Sequence, residues 1–182
     1  MNKFSKFNKE LSTFSSVKPS IYLSPATGYR ARCEFGISKN SYTMVKDNKK
    51  IYMDVSEIPH NSIQKIMPKL LKLINKSNIL KSRLFQINFR SSGSHVLATM
   101  IYHKYLIDDW ANEAQSIQAK FNNLSIIGRS KNQQIINDEE NLKAICKIKN
   151  SNFKILQNDL VFFQPNFYLY PKMISFITSF LK

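Results

Sequence analysis

Two cysteines, three histidines and an adjacent pair of aspartates are the side chains of this 182-residue sequence best suited to chemistry. Cys33 and Cys146 have no metal-ligand spacing around them, and two thiols are too few for a disulfide scaffold. Both fit a reducing compartment. Cys33 falls on the apolar side of an alternating stretch, which reads as a small core residue rather than a nucleophile. His60, His95 and His103 lack a cysteine or carboxylate partner at the spacing of a zinc site. Asp108-Asp109 stands where a helix would begin, and a helix N-terminus favours carboxylates, so capping outweighs an acid/base pair. With only 4 glycines there is no phosphate-cradling loop and no GxSxG elbow. On residue types alone, the chain holds no complete catalytic site.

Binding chemistry is better represented. Lys and Arg number 27 against 12 Asp and Glu, a net charge of +15. A domain this basic meets a polyanion, either nucleic acid or an anionic membrane surface. Abundant Asn, Ile and Lys could reflect an AT-rich genome, so the placement of charge is more telling than its sum. No acid occurs between Glu57 and Asp108, whereas Lys65, Lys69, Lys72, Lys76, Lys81, Arg83, Arg90 and Lys104 all do. Apolar residues at 43% and aromatics at 12% suffice for a core and exclude intrinsic disorder. No apolar run approaches the roughly 20 residues that span a bilayer. The start, MNKFSKFNKE, lacks the apolar segment of a secretory signal. A cytoplasmic protein with no membrane partner is expected.

These groups must be positioned by a mixed set of elements. Residues 1–20 form a basic lead-in with Phe4, Phe7, Leu11 and Phe14 at helical spacing. Over Tyr29–Ser38 the period is two: Tyr29, Ala31, Cys33, Phe35 and Ile37 on one face, Arg30, Arg32 and Glu34 on the other. Asp47-Asn48-Lys49 predicts a hairpin turn between Tyr42–Lys46 and Lys50–Val55. Ile63, Ile66, Met67, Leu70, Leu71 and Ile74 predict an amphipathic helix starting near Pro59 and Asn61, with Pro68 as an internal blemish. Ser91-Ser92-Gly93 predicts a second hairpin, between Arg83–Arg90 and Ser94–His103. A helix with the stripe Trp110, Ala114, Ile117 and Phe121 follows. Next come strand-like runs at Leu124–Arg129, Gln133–Asn137, Lys143–Lys149, Phe153–Leu156 and Leu160–Phe163, and a last short helix at 171–181. The order implies an α+β fold with a mostly antiparallel sheet and two main helices.

Several of these segments resemble a known family. Ser24-Pro25 with Tyr29-Arg30-Ala31-Arg32-Cys33-Glu34-Phe35 is similar to the opening of the bacterial tRNA (uracil-5-)-methyltransferases. So are Leu84-Phe85-Gln86-Ile87-Asn88, Met100-Ile101-Tyr102-His103-Lys104-Tyr105-Leu106 with Asp109-Trp110, Ile126-Ile127-Gly128-Arg129, and Phe163-Gln164-Pro165-Asn166. The resemblance implies methylation of uracil carbon 5 in the tRNA T-loop, at position 54 of the tRNA, with S-adenosyl-L-methionine as donor. In the family a cysteine attacks carbon 6, carbon 5 takes the methyl group and a glutamate removes the proton, on a uridine turned out of its stack. It further implies that this chain is the RNA-recognition half: residues 1–20 a lead-in, 21–160 the α+β domain, and 161–182 the junction to a Rossmann-like cofactor domain. The cofactor loop, the Asp-Pro-Pro segment and the Ser-Cys-Asn-Pro nucleophile motif of that second half are not in this sequence. The chain by itself is therefore expected neither to bind S-adenosyl-L-methionine nor to contain catalytic residues, and a separate methyltransferase-domain polypeptide is an expected partner beside the tRNA T-arm.

By the resemblance, Phe85 and His103 contact the T-loop, Phe162 is an RNA-side aromatic and Gln164 is the cofactor-binding glutamine. Alternation alone reads Phe85 as core, in line with Ile87 and Phe89, and His103 as an ordinary surface residue at a strand end. Packing at the junction is the equal alternative for Phe162. Arg30 and Arg32 suit phosphate contacts, or an ion pair with Glu34. Gly36 stands where a basic residue is expected. The runner-up reading is a non-catalytic, stand-alone tRNA-binding module or a truncated gene remnant.

Overall fold

The computed structural model describes residues 4–137, 142–148 and 151–180. Seven strands form one sheet: β1 (Arg32–Ser38), β2 (Ser41–Lys46), β3 (Lys49–Met53), β4 (Leu84–Ser91), β5 (Val96–Tyr102), β6 (Leu124–Ser130) and β7 (Gln133–Ile136). Their spatial order is β3-β2-β1-β4-β5-β6-β7. Every pair is antiparallel except β5 with β6, whose crossover contains a helix. A separate hairpin joins β8 (Leu142–Ile148) to β9 (Ser151–Gln157). The helices are α1 (Ser5–Leu11), α2 (Asn61–Lys76), α3 (Asn78–Lys81), α4 (Asp108–Gln118) and α5 (Tyr170–Thr178). This is the α+β, mostly antiparallel architecture that the pattern implies.

The main core lies between α2, α3 and α4 and one face of the sheet. Ile63, Ile66, Met67, Leu70, Leu71 and Ile74 are all buried, as their spacing requires, against Cys33, Phe35, Tyr42, Ile87, Phe89, Ala98 and Met100. Burying one such aliphatic side chain contributes roughly 1.5–3 kcal/mol, so six of them hold α2 in place despite Pro68 within it. Trp110 of α4 lies over Gly128, where an added Cβ would fall 2.4 Å from the indole. Asp47 and Asn48 both take positive φ, the conformation of a two-residue hairpin turn.

One expectation is corrected. Leu160–Phe163 is not a strand. The Asn158 side-chain oxygen accepts from the backbone N–H groups of Leu160 and Val161 at 3.0 and 2.9 Å, a local turn that displaces ladder pairing. The four-residue α3 is an addition, capped by Ser77, whose hydroxyl accepts from Leu80 N at 3.1 Å. Strand boundaries also shift: β1 begins at Arg32 and β5 at Val96.

The sheet's other face is only partly covered. Leu97 and Ile127 meet Leu142 of the β8–β9 hairpin there, while Arg32, Glu34 and Asn88 alternate onto the same side. The segment after β9 returns to the chain's early part: Ala31 N donates to Pro165 O at 2.7 Å and Phe167 N to Tyr29 O at 2.9 Å.

Candidate nucleic-acid interface

A register shift in β4 controls the first part of the site. Leu84 pairs with Tyr102 and Gln86 with Ile101, which leaves Phe85 as an extra, unpaired residue. Such a bulge re-aims side chains. Leu84, Ile87 and Phe89 are buried in the core, whereas Phe85 is 51% exposed. The simple alternation that aligns Phe85 with Ile87 and Phe89 is thereby corrected. The Phe85 ring meets His103 edge-on at a centroid distance of 4.5 Å. His103 N donates to the carbonyl of Arg83 at 3.1 Å, and Arg83 itself has φ of 56°. A long side chain in that region is strained, and strain of this kind gathers at functional sites.

The second part is a cleft of about 410 Å³ beside β1, lined among others by Arg30, Arg32, Glu34, Phe162 and Pro165. Arg32 Nη2 pairs with Glu34 Oε1 at 2.8 Å, and both groups are partly exposed. Arg30 donates through Nε to the Arg32 carbonyl at 3.1 Å. Cys33 also borders the cleft, but its side chain is buried and desolvation pushes the thiol up to about 12, with Arg30 opposing and Glu34 adding to the shift. A thiol so rarely ionised is a poor nucleophile.

Phe162 is 78% exposed, yet the loop bearing it is fixed from beneath. Arg90, only 3% exposed, donates from Nη1 to Val161 O at 2.6 Å and from Nη2 to Asp159 O at 2.8 Å. The Asp159 carboxylate in turn pairs with Arg129 through Nε and through Nη2, the latter at 2.9 Å, and accepts from Thr99 Oγ1 at 3.4 Å. Arg90 thus leaves the list of surface cations and becomes a structural clamp. Sequence reasoning missed this clamp; the available signal was an arginine alternating onto the same strand face as Asn88. Gln164 lies just beyond, its side-chain oxygen accepting from Asn166 N at 3.3 Å and its amide near Met173 Sδ at 3.5 Å. The structure therefore brings Arg30, Arg32 and Phe162 to one cleft, and Phe85 and His103 to one pair.

Side chains lie close to the Cα of each of the four glycines. A Cβ would meet Asn61 at Gly28, Thr43 at Gly36, Phe167 at Gly93 and Trp110 at Gly128. Among the described residues no helix is long and apolar enough to cross a membrane.

Comparisons with known proteins agree on one family. The whole chain, residues 1–182, matches the family model described as tRNA (Uracil-5-)-methyltransferase. A tRNA/tmRNA (uracil-C(5))-methyltransferase of Cellvibrio japonicus is 30% identical over 95% of this chain and 49% of its own length. Those of Campylobacter lari and of Sulfurovum sp. are 33% and 34% identical over 98% and 95% of the chain, and 49% and 48% of their own lengths. Among solved structures, the Pyrococcus abyssi tRNA (uracil-54, C5)-methyltransferase in complex with S-adenosyl-L-homocysteine has the same fold, with a TM-score of 0.67 at 16% identity. That match takes in 94% of this chain and 46% of the other. The chain spans about half the length of the curated relatives it matches. It belongs to the tRNA (uracil-5-)-methyltransferase family.

Proposed function

We propose that this chain is the tRNA-recognition half of a uracil-5-methyltransferase, acting in the cytoplasm on the T-arm of tRNA. The bulge that turns Phe85 out of the core and against His103 carries the reading. An exposed ring beside an imidazole is a stacking platform for an unpaired base, whereas a ring in line with Ile87 and Phe89 would be packing. Arg30 and Arg32 are suited to backbone phosphates, and Phe162 on its clamped loop offers a second aromatic surface.

Methyl transfer to carbon 5 of the T-loop uridine requires the second half of the family architecture, which supplies S-adenosyl-L-methionine chemistry. Gln164 would reach that cofactor from this side of a junction formed by residues 161–182. Met173, Phe176, Ile177 and Phe180 expose apolar side chains along and just after α5 at helical spacing. This is the surface that such a half, in the same or a separate polypeptide, would cover.

Binding of a T-arm hairpin, against an unrelated hairpin of equal length, tests the reading. With about 4–6 phosphates engaged, log K should fall with log[salt] at a slope of about −3 to −5. A flat salt response or equal affinity for both hairpins overturns it. Labelled S-adenosyl-L-methionine and unmodified tRNA should yield no methylated product with the chain alone. Incorporation above background would instead assign catalysis to this half.

A further inference from the structure

We infer that the outer face of α2 is a phosphate track for an RNA stem, leading through α3 to the Phe85–His103 pair. This rests on the RNA-binding reading above and adds a second surface and a direction to it. The apolar stripe of α2 is buried in the core, which leaves Lys65, Lys69, Lys72 and Lys76 exposed at spacings of four, three and four residues. At 1.5 Å per residue the four ammonium groups run along about 16 Å of one helix. No acid lies on α2 or α3, so none of the lysines has the i,i+4 partner that normally accompanies such a row.

Among the described residues Lys65, Lys72 and Lys76 make no ion pair and are exposed, while Lys69 donates to Lys120 O at 2.5 Å and lies over Phe121. Like charges at these spacings disfavour the helix by a few tenths of a kcal/mol per pair. A bound polyanion removes that cost. A compositional excess of lysine gives no reason for the row to continue, yet it does. Ser77 leads directly into α3 with Lys81, and Arg83 follows, accepting His103 N through its carbonyl. Lys104, the next residue after His103, donates to Ile79 O of α3 at 2.8 Å, and Tyr102 OH donates to Leu80 O at 2.8 Å. These bonds seat α3 against the end of β5 where the aromatic pair sits. The cations thus follow one another along α2 and α3 to Arg83, whose carbonyl holds His103 of the stacking platform. A duplex, with phosphates on both strands, fits a linear row of mobile ammonium groups that make no base-specific contact. Its unpaired loop would lie at Phe85.

The triple variant Lys65→Gln, Lys72→Gln, Lys76→Gln tests this in the full chain, because these three side chains are exposed and form no ion pair among the described residues. Three probes suffice: the T-arm stem-loop, the same loop sequence as single-stranded RNA, and phosphatidylglycerol vesicles. For the stem-loop the salt slope should become shallower by about two to three, one phosphate contact per lysine removed. Affinity for the single-stranded loop should stay within about twofold. An unchanged slope with the stem-loop, while the parent chain binds it, overturns the track and leaves the RNA-binding reading standing. Equal losses on stem-loop and single strand overturn the direction assigned to the stem. Vesicle binding that exceeds RNA binding and disappears in the variant would transfer the surface to lipid. A parent chain that binds neither RNA overturns both this inference and the reading beneath it.

Discussion

Phe85 separates two physical outcomes within one substitution. Its ring is half exposed and its main contact is edge-on with His103. Phe85→Ala should weaken T-arm binding by about 1–3 kcal/mol, the range for losing one base–aromatic stack. Melting temperature should hardly change. A core phenylalanine behaves in the opposite way, costing about 3–5 kcal/mol of stability when truncated. Thermal melts and hairpin titrations on the same sample decide between them. His103→Ala should lower affinity modestly and leave melting unchanged. A Phe85→Ala protein that melts far earlier but binds normally would return this residue to the core.

At the scale of elements, α2 depends on a cap that is pH-sensitive. His60 Nδ1 accepts from Ser62 N at 3.3 Å, and the ring also packs on Phe167 at 4.7 Å. Burial lowers the His60 pKa below the ordinary value of 6.5. The folded chain therefore binds the proton less well than the unfolded chain. Stability is complete above about pH 6.5 and is lost as pH falls from there through the lower folded value. Protonation also removes the acceptor that caps the helix. His60→Asn, which keeps a capping oxygen, should reduce the drop in melting temperature between pH 8 and pH 5 relative to the parent. An identical drop in both proteins would remove His60 as its source.

Elements differ in how far the sequence reveals them, for reasons that can be named. The body of α2 was plain because six apolar residues repeat at three and four, and the Asp47-Asn48 turn because both residues tolerate positive φ. His60 as the cap was not, since an imidazole is an uncommon acceptor there and Asn61 stands beside it. The bulge at Phe85 was hidden by a faultless period of two through Ile87 and Phe89. The hydrogen bonds of Arg90 to Asp159 and Val161 span 69 and 71 residues, a distance over which local patterning is silent.

For the whole molecule, the clamp makes the stability of the sheet depend on residues far beyond it. A chain ended after residue 156 would keep all seven strands but leave Arg90 without its two carbonyl acceptors and Arg129 without Asp159. An arginine left unsatisfied in a buried site costs several kcal/mol. The shortened chain should therefore melt well below the parent, and Arg90→Met should recover part of the loss in the shortened chain while destabilising the full one. If shortening leaves the melt unchanged, Arg90 finds other partners and the clamp is dispensable.

The backbone bonds from Ala31 to Pro165 and from Phe167 to Tyr29 also set an order of events during synthesis. Residues 29–31 leave the ribosome well over a hundred residues before their partners exist. At about 5–20 residues per second, the wait is on the order of ten seconds. The seven-stranded sheet with α2, α3 and α4 can assemble before that interval ends, because these elements all precede residue 137. The cleft that joins Arg30 and Arg32 to Phe162 cannot. The last strand of the sheet ends at Ile136, so a nascent chain completes the sheet before its binding surface, and cellular RNA meets the complete cleft only after residue 167 has emerged.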